Sequence, residues 1–396
     1  MTTHAEDAML KGFKHPKRLD LHVEETEPEA RAKGCVEAVL GLVDDFSSSK
    51  PEDITVTTLQ GGITNQLYLL RDEGKDAAAL VRLYGKNTEL LIDRAVESLV
   101  FHILGEKEFG PKLHGLFKNG RVEGFIPSKS VLPDQMGQRE PVDYADLIAK
   151  ELATMHHLDM PLPREPYLWH FLHKFRDMTN DIAFPDNEAE QAKLDSYRLP
   201  ELRERLAQLE KELPSASNNN GKDLLEEEGL SEAELAARKF LFECSFCHND
   251  LLAGNVLYVS EPTSRMQFID FEYGKYNFRG FDFANHFCEY AGFDFDLERW
   301  YPTPDHQRFF VKTYIDASAE GGDMELASLK ERLEGDKEFA EAFYTATIAW
   351  IDRFAVSSHF FWGLWALIQK LYSPIDFDYF DYARLRLTAI SLPNKE

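Results

Sequence analysis

Cations are scarce in this chain. Lysine and arginine total 44 against 69 aspartates and glutamates in 396 residues, a formal charge of −25 at pH 7. Such a field repels phosphate backbones and anionic lipid surfaces, so no nucleic-acid partner is expected. It attracts small cations, although net charge alone names no substrate. Cysteine is also sparse: four residues in a chain of this length argue against a disulfide framework. Cys244-Ser245-Phe246-Cys247 has redox-motif spacing but sits in what reads as a buried strand, so packing cysteines are expected. Long apolar runs are missing too. The longest, Phe360 to Ile368, falls well short of the roughly 20 residues that cross a bilayer, and no membrane span is expected. The first residues include His4, Glu6, Asp7, Lys11 and Lys14 without an apolar core, so neither a secretory signal nor an Arg-rich transit peptide is expected. The cytoplasm is the expected compartment.

The length suits two or three domain-sized cores. Residues 1–24 read as poorly ordered, after which Ala30 to Phe46 carries helical spacing through Val36, Val39, Leu40 and Val43. Short β-type runs follow at Ile54–Leu59, Leu67–Leu70, Ala79–Tyr84, Leu113–Phe117 and Arg121–Ile126, with a helix from about Glu89 to Leu104 among them. Beyond Pro141 the pattern is mainly helical. It is interrupted at 215–231 by a polar, acidic stretch with no burial pattern, read as a mobile surface insertion. The expected class is α+β, with a small β-rich lobe over 25–127 and a larger, mainly helical lobe over 128–396. No internal repeat is visible.

The most informative segment is His248-Asn249-Asp250-Leu251-Leu252-Ala253-Gly254-Asn255, followed by Asp270 in Phe268-Ile269-Asp270-Phe271-Glu272. A kinase catalytic loop needs a carboxylate to take the hydroxyl proton and, five residues on, an amide oxygen for a metal. Asp250 and Asn255 have that spacing, and Asp270 ends an apolar stretch where a second metal ligand belongs. His248 more naturally orients the loop backbone than moves protons, since Asp250 already fills the base role. A capped turn between two buried strands is the plain alternative.

Gly61-Gly62-Ile63-Thr64-Asn65 resembles a glycine-rich nucleotide loop, though a Gly-Gly turn is as often an ordinary hairpin. Arg82 stands on the following strand where a kinase places its phosphate-binding cation, and Glu97 lies on the next helix in position to pair with it; solvated surface charges are the competing reading. Phe125 and Ile126 would lead into a hinge whose backbone binds adenine. Trp362 and Trp365, three apart on one helix face, could cage an alkylammonium group or pack the core.

Together, Gly61-Gly62-Ile63-Thr64-Asn65, Arg82-Leu83-Tyr84-Gly85, Cys247-His248-Asn249-Asp250, Ile269-Asp270-Phe271-Glu272-Tyr273, Phe281-Asp282-Phe283-Ala284-Asn285-His286-Phe287 and Phe361-Trp362-Gly363-Leu364-Trp365 resemble the choline/ethanolamine kinase family. The resemblance runs from about residue 54 to 388 and implies a protein-kinase-like bilobal fold, ATP and Mg2+ as co-substrates, and phosphorylation of an amino alcohol at the start of phospholipid synthesis. It implies Asp250 as catalytic base, Asn255 and Asp270 on metal, and Tyr273, Glu289, Trp362, Trp365 and Tyr382 lining the acceptor pocket. Leu251-Leu252 and Glu289-Tyr290-Ala291-Gly292 lean toward ethanolamine kinases. Phe125-Ile126-Pro127-Ser128 and Tyr276-Asn277-Phe278-Arg279-Gly280 look closer to choline kinases. The acceptor expected is ethanolamine, with choline open as a second. An aminoglycoside-type phosphotransferase, an inactive binding scaffold and a homodimer also remain open. Glu272 stands where protein kinases have the Gly of Asp-Phe-Gly, and no Ala-Pro-Glu follows, so an activation-loop flip is not expected.

Overall fold

The computed structural model describes residues 10–59, 65–85, 88–213, 229–373 and 375–390. It divides into two compact units, one of residues Met1–Lys129, Leu257–Glu272 and Ser373–Phe377, the other of Ser130–Val256, Tyr273–Tyr372 and Asp378–Glu396.

In the smaller unit, helix α1 (Pro28–Leu42) places its proline at the start, where the missing N–H would have no partner anyway. Strands β1 (Thr55–Leu59), β2 (Asn65–Asp72) and β3 (Ala77–Tyr84) precede helix α2 (Arg94–Glu106); β4 (Leu113–Phe117) and β5 (Gly120–Gly124) follow it. They form an antiparallel sheet in the order β1-β2-β3-β5-β4. Strand alternation sorts the residues by face. Ala79, Val81, Leu83 and Val122 share a buried apolar cluster with Val39, Leu42 and Phe46. The alternate positions carry Arg82 and, directly opposite it in the β3–β5 register, Arg121. Helix α2 starts at Arg94 because the Asp93 side chain accepts from the N–H groups of Ala95 and Val96, at 3.1 and 3.2 Å.

The expected disorder over 1–24 does not hold for residues 10–24. Leu19 N–H donates to Leu116 O, Leu116 N–H to Lys17 O and Lys118 N–H to Leu21 O, each at 2.9 Å, and Val23 is buried. Strand β4 is the edge of the sheet, and its open backbone groups recruit a segment whose own sequence shows no apolar period.

The larger unit holds α3 (Tyr144–His156), α4 (Leu168–Met178), α5 (Glu188–Ser196), α6 (Leu199–Glu212) and α7 (Glu232–Phe242). Strand β6 (Cys244–Cys247) leads into the motif loop; the chain then enters the smaller unit at Leu257, where β7 (Val256–Val259) and β8 (Arg265–Phe268) lead to Asp270, and it returns to the larger unit at Tyr273. Strand β9 (Lys275–Phe278) pairs antiparallel with β6 and runs directly into α8 (Arg279–Glu289). Helices α9 (Pro304–Glu320), α10 (Met324–Gly335), α11 (Lys337–Tyr372) and α12 (Tyr379–Ala389) complete it. All of α8 is buried, so its polar side chains must find partners inside the protein. Those partners build the site. Residues 215–228 of the expected insertion lie outside the described residues. Among the described residues, no helix is long and apolar enough to cross a membrane.

Candidate active site

The motif loop is held by α8. Asp282 accepts the backbone N–H of His248 at 2.8 Å on one oxygen and that of Asn249 at 2.7 Å on the other, and its first oxygen also meets His156 Nε2 at 3.1 Å. Burial pushes the Asp282 carboxyl up, but the hydrogen bond and charge of His156, with help from His248, outweigh it and leave the pKa lowered. His156, Cys247 and Asp282 lie close enough to suggest a metal site. With both Asp282 oxygens already committed, they read instead as a structural knot beneath the loop.

Asn249 adopts φ +63°, a left-handed conformation that Asn tolerates, and its Nδ2 donates to Tyr273 O at 2.8 Å. His286 Nδ1 meets Leu251 O at 3.0 Å. Within the loop, Asn255 Nδ2 donates to the Asp250 backbone O at 2.8 Å and to Asp250 Oδ2 at 3.2 Å. The sequence pair is thus one hydrogen-bonded unit, and the Asn255 carbonyl oxygen is the atom suited to a hard cation. His248 is fully buried, and its backbone N–H is held by Asp282.

The aromatic residues form a connected wall in the same unit. The Tyr273 and Trp362 rings lie 5.4 Å apart, and Trp362 and Trp365 5.5 Å, both edge to face. Trp362 Nε1 donates to Asn285 Oδ1 at 2.7 Å, and Ser358 Oγ donates to the same oxygen at 2.8 Å. Asp282, Asn285 and Glu289 therefore line one face of α8, at intervals of three and four, and anchor the loop, the tryptophan and one further pair.

That pair revises the expectation for Glu289. Arg386 of α12 donates Nη2 to Glu289 and Nε to the Tyr382 hydroxyl at 3.0 Å, and its guanidinium stacks over Phe295 at 4.3 Å. Glu289 is thus a buried ion-pair partner and not an uncommitted anion awaiting an ammonium group. Burial, with the charge of Glu289, pushes the Tyr382 phenol up against the pull of Arg386.

The smaller unit supplies a second constellation. Arg82 Nε donates to Glu123 at 2.8 Å, and its Nη1 to both oxygens of Asp270 at 3.2 and 3.3 Å. Burial opposes the Arg82 charge, but Asp270 and Glu123 more than restore it, and its pKa is raised. Glu97 does not pair with Arg82 as expected: it is bonded by Arg121 and, at 3.3 Å, by Arg94. The reason is register, since Arg121 stands between Arg82 and the helix carboxylate. Asp270 has φ +62°, a strained conformation of the kind that gathers at functional sites. Glu272 is pushed up to about 7 by burial and by Asp270. Asn65 accepts from Gly85 N–H at 3.3 Å and from Arg94 at 3.2 Å, while Gly61, Gly62 and Thr64 lie outside the described residues. Phe125 and Ile126 are half-buried just past β5.

Sequence reasoning missed Arg121, Glu123, Asn285 and Arg386. Arg386 lies four residues after Tyr382, a helical neighbour that could have been named; Arg121 and Glu123 alternate on a strand and were read only as part of it. All four cysteines are free, and burial pushes Cys244 up to about 12 and Cys247 well above its usual value, which fits packing and not redox chemistry.

The family model for choline/ethanolamine kinase matches residues 56–391. The chain is 33% identical to a probable ethanolamine kinase A of Dictyostelium discoideum over 89% of each chain. It is 32% identical to the choline/ethanolamine kinase of Homo sapiens over 85% of this chain and 79% of that one. Its fold is similar to that of the Plasmodium vivax ethanolamine kinase, with a TM-score of 0.71 and 26% identity, covering 99% of this chain and 95% of the other.

Proposed function

Since this chain belongs to the choline/ethanolamine kinase family, and is therefore a phosphotransferase, we propose that it phosphorylates ethanolamine, with ATP as donor and magnesium as metal. The observation that carries the reading is the continuity of loop and aromatic wall in the larger unit. Asn249 Nδ2 donates to Tyr273 O at 2.8 Å, and the Tyr273 ring lies 5.4 Å from that of Trp362. The loop that carries Asp250 is thereby fixed against the surface that receives the cation.

Asp250 takes the proton of the acceptor hydroxyl as its oxygen forms the new bond to phosphorus and the bond to the departing ADP breaks. Asn255, donating to Asp250 Oδ2, holds that carboxylate in one orientation. Arg82 supplies positive charge to the phosphates. Asp270 is assigned as a carboxylate donor to magnesium and Asn255 as an amide-oxygen donor, both oxygen ligands of the kind a hard cation takes. When bound, the metal neutralises phosphate charge. Gly61, Gly62, Thr64 and Asn65 are assigned to the phosphate loop, and Phe125 and Ile126 to the adenine side. Trp362, Trp365, Tyr273 and Tyr382 are assigned to the ammonium group.

Choline is a second acceptor favoured by one observation. Arg386 engages Glu289, so the acid is partly neutralised, and the remaining attraction comes from rings that suit a trimethylammonium group. A coupled ATP-consumption assay with ethanolamine, choline and an aminoglycoside tests the proposal. Turnover is expected with the two amino alcohols; turnover with the aminoglycoside alone would overturn it.

A further inference from the structure

Arg82 and Arg121 face each other across β3 and β5, both buried. Like charges directly opposite in an antiparallel pair repel. Here a single oxygen, Glu123 Oε1, accepts from Arg82 Nε at 2.8 Å and from Arg121 Nε at 2.6 Å. The outer ends of this bridge are also occupied. Arg82 Nη1 reaches Asp270, and Arg121 Nη1 reaches Glu97 on α2 while its guanidinium lies over the Phe101 ring at 4.1 Å. Carboxylates and guanidiniums thus alternate along one line, from Glu97 through Arg121, Glu123 and Arg82 to Asp270.

We propose that Arg121 is a positioning residue that fixes Arg82 through Glu123, so that the carboxylate of α2 acts on the phosphate-binding cation through a relay and not by direct contact. The inference rests on the reading of Arg82 as that cation. Arg121 has an exposure of 0%, so any effect it has on a bound nucleotide is transmitted through its neighbours. A planar guanidinium suits the task because its nitrogens point in fixed directions and can hold Glu123 and Glu97 at once; an ammonium is a point charge on a flexible stem. Without Arg121, Glu123 is left to Arg82 alone and the carboxylates of the line outnumber its cations further. Both changes turn the local field against an anionic nucleotide.

The test compares Arg82→Met, Arg121→Met, Arg121→Lys and Glu97→Gln in the full-length protein, reading thermal midpoint, kcat, and KM for ATP and for the amino alcohol separately. Arg82→Met and Arg121→Met are each expected to raise KM for ATP on the order of tenfold, leaving KM for the amino alcohol within about twofold. Arg121→Lys should fall between wild type and Arg121→Met, and adding Glu97→Gln to Arg121→Met should add little, since the line is already cut. If Arg121→Met does not fold, Arg121→Lys and Glu97→Gln carry the comparison. A lowered thermal midpoint with KM for ATP unchanged would make Arg121 purely structural and overturn the relay while Arg82→Met still shows its effect. If Arg82→Met itself leaves KM for ATP unchanged, the reading of Arg82 fails and the relay fails with it.

Discussion

Glu289 and Arg386 form an ion pair with both side chains buried, at 6% and 0% exposure. Removing one member of such a pair strands the other charge in a low-dielectric interior, at a cost of about 3–5 kcal/mol. Glu289→Gln is therefore expected to lower the thermal midpoint sharply, whatever it does to substrate preference. Glu289→Gln combined with Arg386→Met should recover most of the loss, because the orphaned charge is gone. Thermal melts of the two variants decide the point, and a single variant that melts like wild type would show that the pair contributes nothing.

Pairings were less legible in the sequence than positions. The loop from His248 to Asn255 could be read because its chemistry fixes a spacing within a few residues; the hydrogen bond from Asn255 to Asp250 is a contact that the structure adds. Glu97 could be placed on a helix and Glu289 in a motif, but their partners lie on β5 and α12, and nothing local announces a contact made across 24 or 97 positions. The Asp282-Asn285-Glu289 face of α8 shows the same limit. Its residues could be quoted as motif, whereas their separate tasks follow only from the burial of the whole helix. The segment Lys17–Val23 failed for another reason: its order comes from the open edge of β4 and not from any pattern of its own.

Asp250→Ala should abolish phosphoryl transfer while sparing the fold and ATP binding, since a general base acts mainly in the transition state. The expected loss in kcat is on the order of 100-fold to 10,000-fold. Asp250 also accepts from Asn255, so circular dichroism should confirm an intact fold before rates are compared. Retention of more than half the wild-type turnover would remove Asp250 from the mechanism.

Trp365→Leu separates the two acceptors. The Trp365 ring lies 5.5 Å from Trp362 and 5.9 Å from Tyr379, inside the aromatic wall. Leucine keeps apolar volume but removes most of the cation–π attraction, worth about 1–2 kcal/mol in a desolvated site, or roughly 5-fold to 30-fold in affinity. Choline, which brings no N–H donors, should suffer more than ethanolamine, whose three donors find polar partners. Steady-state KM for both alcohols provides the check; equal, unchanged values would make Trp365 a packing residue.

Stability should fall with acid because of buried neutral histidines. Burial lowers His286 from 6.5 to about 4 against the pull of the Leu251 carbonyl, and burial, then Arg386, lowers His359 to about 3. A histidine whose folded pKa lies below its unfolded value binds fewer protons when folded, so stability rises with pH across the interval between the two. Its contribution is complete above about pH 6.5 and is lost progressively as pH falls toward the folded value, at up to about 1.4 kcal/mol per pH unit for each group. Asp282, with its pKa below the ordinary carboxylate value of 3.8, acts only at still lower pH. Thermal midpoints measured from pH 8 to pH 5 should therefore hold level and then drop below about pH 6.5. His286→Gln keeps a donor for Leu251 O but cannot titrate, so it should make that drop shallower. An unchanged acid slope in His286→Gln would show that His286 takes up its proton without cost to the fold.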